Sequence, residues 1–255
     1  MLRVLFKSLI ILLLVSPYTM AQSSHKEMLR SGKLLFQVNC ARCHGMLADG
    51  GTGPSLNRSY LPRASTDEKL ANVISNGIPG SGMPANWILT EVEVDKIVQY
   101  VRHVGRESEQ VLIGNAKNGK ALFEGSICST CHIVSGKGGS LGPELTRIGL
   151  QRGRRYLAEA IAHPGKNKPV DANGFFQFLM ISVELKNGKT IKGVRINEDT
   201  FSIQIKDPSN RLYSFKKEDI LSIEKIMDKS LMPSFADRFS DDEINDIVAY
   251  LTSLE

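Results

Sequence analysis

Cysteine is scarce in this 255-residue chain, with four in all, and tryptophan occurs once. Four cysteines are too few for the dense disulfide framework of a small secreted scaffold, so the fold must rest on an apolar core. No apolar stretch approaches the roughly 20 residues that span a bilayer as a helix; residues 9–15 form the most continuous one. A strong charge of one sign is also lacking, because 32 Lys and Arg stand against 27 Asp and Glu for a net charge of +5. So mild a surplus leaves no electrostatic footprint for nucleic acid. At 42% hydrophobic and 23% charged, the composition excludes collagen, coiled coil and wholesale disorder. At roughly 100–200 residues per domain the length allows two domains.

The first 21 residues have the three-part layout of an export signal: Arg3 and Lys7, the apolar residues 9–15, then Ser16-Pro17 and Thr19-Met20-Ala21. The expectation is a cleavable signal peptide over 1–21, with Pro17 ending the apolar helix and a mature chain starting at Gln22. That reading places the protein in a periplasm-like compartment, with no stable membrane span after cleavage.

The four cysteines fall without remainder into Cys40-Ala41-Arg42-Cys43-His44 and Cys128-Ser129-Thr130-Cys131-His132, each the C-x-x-C-H pattern of c-type haem attachment. In one helical turn, residues i and i+3 share a face, so two sulfurs can reach one porphyrin edge while the next residue turns an imidazole to the iron. A zinc site would need further Cys or His nearby, and a redox dithiol would not require the histidine. Two covalently attached haem c groups follow, held by Cys40, Cys43 and His44 and by Cys128, Cys131 and His132.

The frame around each motif is repeated. Gly32-Lys33-Leu34-Leu35-Phe36 begins eight residues before Cys40, and Gly119-Lys120-Ala121-Leu122-Phe123 nine before Cys128. Gly53-Pro54-Ser55-Leu56 and Gly142-Pro143-Glu144-Leu145 follow the histidines. Met83-Pro84 and Met232-Pro233 then lead into amphipathic helices from Thr90 and Ser240, each opening with a capping-box Glu, Glu93 or Glu243. His44 and Met83 are 39 residues apart, but His132 and Met232 are 100 apart, so the second copy holds an insertion. Residues 175–226 supply it: a β-branched and aromatic run over 176–185, an Asn187-Gly188 turn, and further short strands that predict about five antiparallel strands in a small barrel or twisted sheet. Its ends must lie close together. The predicted fold is mainly α, with two tandem helical domains over 26–105 and 115–255, the second carrying a small antiparallel β subdomain at 175–226.

For the sixth iron ligand each copy offers a methionine before a proline, and a thioether there raises the reduction potential. Met83 and Met232 are favoured. Met46 lies too close to His44 to reach the opposite face, while Met180 and Met227 fall in the strand pattern. His103 reads as a surface residue ending its helix, His25 lies in the N-terminal stretch, and His163 is the rival for the second iron. Arg147, Arg152, Arg154 and Arg155 suit a haem propionate, an acidic partner or a solvated face. Trp87 reads as packing beside the methionine loop, and Tyr100 and Tyr250 as core-facing.

Each copy resembles the class I cytochrome c domain in its Gly-Lys-x-Leu-Phe helix, C-x-x-C-H turn, Gly-Pro-x-Leu loop, Met-Pro loop and C-terminal helix with Tyr in its last turn. The resemblance implies that the carbonyls of Pro54 and Pro143 hold the far nitrogens of His44 and His132. With its insert, the chain is similar to haem-binding modules associated with secreted bacterial dehydrogenases. The function implied is single-electron transfer, without bond chemistry, from a dehydrogenase or quinol-oxidising complex to a cytochrome or terminal oxidase. Two alternatives stay open: a dihaem peroxidase-like oxidoreductase with one open or displaceable iron site, and a docking subunit that wires a dehydrogenase to the respiratory chain.

Overall fold

The structure, a computed structural model, describes residues 17–110, 114–166, 176–227 and 229–254. The apolar residues 9–15 expected in the signal lie outside that set. Among the described residues no helix is long and apolar enough to cross a membrane. The first described element is α1 (Pro17–Asn39).

The first helical unit consists of α1, α2 (Ala41–His44), α3 (Asp67–Asn76) and α4 (Glu91–Gln110). α1 packs along α4, and they meet at Gly32, where a Cβ would lie 2.1 Å from the Lys96 carbonyl oxygen. Only a residue without a side chain lets the backbones approach so closely. One turn on, Phe36 meets Tyr100 with ring centroids 5.3 Å apart. The second unit repeats the crossing with α5 (Ala116–Gly125) and α9 (Asp241–Thr252). A Cβ on Gly119 would sit 1.8 Å from the Asp246 oxygen, and Phe123 meets Tyr250 at 5.7 Å. Both tyrosines are buried, as expected. Between the two halves of this unit lie α6 (Cys128–Cys131), α7 (Ile148–Gln151) and α8 (Arg154–Ala162).

The insertion forms a five-stranded antiparallel sheet: β1 (Met180–Leu185), β2 (Thr190–Glu198), β3 (Ser202–Lys206), β4 (Leu212–Lys216) and β5 (Ile220–Ile226), in the order β4-β3-β2-β1-β5. The chain meanders through four strands and returns β5 to the free side of β1, leaving β4 and β5 as edges. β1 begins at Met180 rather than near Phe176, because Phe178 adopts a left-handed conformation with φ 54°. Met227, expected within the strands, lies beyond β5 and is exposed. The sheet has its own core of Leu179, Ile181, Val183, Leu185, Ile191, Ile203 and Ile205, separate from the cores of the two helical units. Its flanks meet as expected: a Cβ on Gly165 would lie 3.3 Å from Ser230 Cβ. Among the described residues helix makes up 41% and strand 17%, so the mainly helical expectation holds only in part.

Candidate haem-binding sites

One helical turn delivers each histidine. The His44 amide donates to the Cys40 carbonyl at 2.9 Å, and the His132 amide to that of Cys128 at 3.0 Å. The turn sets the two thiols of each pair on one face, and all four cysteines are partly buried and free of disulfides. Burial, aided by the neighbouring Cys43, pushes the Cys40 thiol up to about 11. Burial also raises Cys128, against an opposing hydrogen bond from Ser126. A reactive dithiol needs the opposite shift. Among the described residues no three His, Cys, Asp or Glu side chains gather as a zinc site requires.

Both imidazoles are buried. His44 Nδ1 donates to the Pro54 carbonyl at 2.8 Å, and His132 Nδ1 to that of Pro143 at 2.8 Å. A carbonyl only accepts, so each Nδ1 carries the proton and each Nε2 keeps its lone pair for a metal. Burial lowers both pKa values, partly opposed by those same bonds. The glycine before each proline is a steric requirement: a Cβ would stand 2.8 Å from His44 Cε1 at Gly53 and 2.6 Å from His132 Cε1 at Gly142. The Gly53 and Gly142 amides donate back to the Cys43 and Cys131 carbonyls at 2.7 and 2.8 Å. Two thiols for covalent links to a porphyrin and one preoriented imidazole nitrogen for its iron fit a thioether-linked haem at each site.

The methionines sit on braced loops. Met83 is partly buried and pairs with Ile78, whose amide donates to the Met83 carbonyl at 3.0 Å, and a Cβ on Gly77 would collide with that carbonyl. Met232 packs against the second helical core. Its loop is pinned to the end of α8 by Phe235 N–H on the Ile161 carbonyl at 3.2 Å and Ser234 Oγ on that of Ala162 at 2.6 Å. His163 and Met232 line one cavity of about 640 Å³, so the rival ligand and the favoured one are neighbours.

Other expectations need correction. Trp87 does not pack beside the methionine loop; it is 86% exposed, and Ile88 beside it is exposed too. His103 does not end its helix, since α4 continues to Gln110 and His103 Nε2 lies 3.2 Å from Glu107. Of the arginines, Arg152 and Arg155 reach the first unit, where Arg152 Nη1 donates to the Gly51 carbonyl and Arg155 Nε lies 3.7 Å from Asp49. Sequence reasoning missed Asp49, Gly51 and Ser55 as the other side of this junction, because nothing in a periodic pattern marks a contact spanning a hundred residues.

Residues 27–101 match the family described as cytochrome c oxidase, cbb3-type, subunit III, and residues 116–187 match the family described as cytochrome c. The second match ends in the β1–β2 turn, ahead of Met232 and α9. The chain is 40% identical over 81 residues to cytochrome c-L of Methylorubrum extorquens, covering 31% of this chain and 41% of that protein. It is 33% identical over 153 residues to the cbb3-type cytochrome c oxidase subunit CcoP of Helicobacter pylori, covering 56% and 46%. The chain thus spans less than half the length of these two relatives. The solved structure of cytochrome cL from Methylophaga aminisulfidivorans is 32% identical over 30% of this chain and 53% of that chain, with a TM-score of 0.29.

Proposed function

We propose that this chain, built on two cytochrome c-type domains, is a periplasmic dihaem carrier of single electrons between a dehydrogenase or quinol-oxidising donor and a cytochrome or oxidase acceptor. Its domains run over 26–105 and 115–255, with the sheet at 175–226 inserted in the second and an export signal at 1–21. Cys40 and Cys43 would tether the first haem and Cys128 and Cys131 the second, with His44 and Met83 holding the first iron and His132 and Met232 the second. The observation that carries this reading is the doubled histidine geometry, with each Nδ1 held 2.8 Å from a proline carbonyl oxygen. The names of the relatives, a cytochrome c-L and an oxidase subunit, support the same kind of role.

When bound, each haem supplies an iron that takes up one electron and gives up one, with no bond made or broken. The chain's residues hold that centre still. The Pro54 and Pro143 carbonyls fix the tautomer and strengthen the imidazole as a donor. Phe36, Leu70 and Ile97, and in the second unit Phe123, Leu145 and Ile247, exclude water from the interior. The braced loops would hold Met83 and Met232 in place to offer their sulfurs to the irons.

The purified oxidised and reduced holoprotein tests the proposal. The expected result is two haems per chain, with the weak far-red band of sulfur-to-ferric-iron charge transfer at full intensity for both. The cavity shared by His163 and Met232 favours a second reading, in which the second iron has a displaceable ligand and serves a peroxidase-like reaction. Band intensity for one haem, with peroxide binding, would establish that reading and overturn the first.

A further inference from the structure

The loop that orients His44 is bonded to the other domain. The His44 and Cys43 carbonyls accept from Gly50 and Gly53 at 2.9 and 2.7 Å, folding residues 45–57 around the imidazole. Residues 151–155, joining α7 to α8, close on its outer side. The Ser55 amide, next to Pro54, donates to the Gln151 carbonyl at 3.0 Å, and the Gly153 amide donates to the Asp49 carbonyl at 2.8 Å. Arg152 Nη1 donates to the Gly51 carbonyl at 2.5 Å, and its guanidinium lies 5.0 Å from the Tyr156 ring centroid, which keeps it aimed. Asp49, 8% exposed, faces Arg155. A Cβ on Gly50 would lie 2.1 Å from the Gln151 oxygen, so the backbones are in direct contact. The second site differs: Glu144, the counterpart of Ser55, is exposed and, among the described residues, its carboxylate accepts the Thr146 hydroxyl of its own loop.

We infer that residues 151–155 are a positioning clamp for the first axial histidine, so that the first haem's potential depends on the second domain while the second haem's does not depend on the first. The inference rests on the proposed haem ligation and adds a one-way coupling to it. Pro54 is covalently joined to Ser55, so any slack at the Ser55–Gln151 bond passes directly to the carbonyl that sets the His44 tautomer and donor strength. Arg152 and Arg155 act through that loop and are positioning residues.

The test uses the full holoprotein as wild type, Arg152→Ala, Arg152→Lys and Arg155→Ala, with haem counted per chain, both midpoint potentials titrated and amide exchange followed by peptide. Arg152→Ala is expected to displace one midpoint and leave the other, with exchange over residues 45–57 accelerated by about tenfold or more and residues 136–145 unchanged. Arg152→Lys, which keeps a donor to Gly51, restores part of both effects. Arg155→Ala, removing an exposed side chain, gives a smaller change of the same pattern in a chain that still folds. Unchanged exchange over 45–57, or midpoints that both move or both stay, overturns the clamp. Fewer than two haems per chain would instead sink the dihaem reading, and exchange over 45–57 would still decide the clamp.

Discussion

Adding one methyl group tests the fit between loop and histidine. A Cβ on Gly142 would stand 2.6 Å from His132 Cε1, a separation the buried ring escapes only by moving away from the Pro143 carbonyl. Gly142→Ala is expected to destabilise the chain by about 1–3 kcal/mol and to lower haem content, read by thermal unfolding and haem counting; Gly53→Ala should do the same at the first site. Trp87 sits at the opposite extreme. With 86% of its surface exposed, Trp87→Ala should change stability by no more than about 0.5 kcal/mol, and a larger loss in denaturant unfolding would mean that the ring is packed. The prolines that touch the histidines were named by the resemblance to class I cytochrome c, whereas the steric part played by Gly53 and Gly142 came only from the folded backbone. The sequence could not place Trp87, since an aromatic near a turn reads the same whether it packs or faces solvent.

Helix ends were legible for a local reason. Ser240 Oγ accepts from the Glu243 amide at 3.3 Å while the Glu243 carboxylate accepts from the Ser240 amide at 2.8 Å, and Thr90 and Glu93 form the same reciprocal pair. Ser240→Ala should cost about 1 kcal/mol in chemical denaturation with no change in slope. The far end of α4 was not legible. Beyond Val101 the residues are mostly polar, and Gly105 suggests a stop, yet the helix continues. Gly105 stands where it does because a Cβ would lie 2.4 Å from the Arg58 carbonyl oxygen, a tertiary demand no local pattern reveals. The strands were readable from alternation, and so was their turn at Gly188, whose φ of 83° a side chain would resist. The start of β1 was missed because the apolar run through Phe178 continues past the point where the backbone departs from extended geometry.

Three separate cores in one chain imply that unfolding need not be a single event, and the sheet carries its own acid trigger. Burial works against the charge on Glu198, but hydrogen bonds from Arg195, Lys217 and Lys225 outweigh it and hold its carboxyl at about 2. A folded pKa below the usual 4.5 means the stabilisation is fully present above about pH 4.5 and lost as pH falls towards 2. Calorimetry should therefore show a transition assigned to the sheet that weakens across that window, and Glu198→Gln should reduce that dependence, leaving the smaller part carried by Asp199 and Asp207, whose carboxyls are also held below their usual range by turn hydrogen bonds, and leave the helical transitions in place. A sheet transition that ignores pH between 4.5 and 2 would contradict this assignment of Glu198. Duplication, insertion and paired ends were all visible in the spacing from His132 to Met232. The bonds between domains were not, because each joins residues whose neighbours in sequence give no sign of a partner.

The insertion also imposes a delay on assembly. α5 finds its partner only when α9 arrives, and between Gly125 and Asp241 the chain must first deliver the haem turn, α7, α8 and the whole sheet. The apolar face of α5, with Phe123 on it, waits for all of that length. The sheet, with every strand pairing to another strand of the insert, can close during that wait, so that when α9 emerges, its start is delivered close to the end of α8.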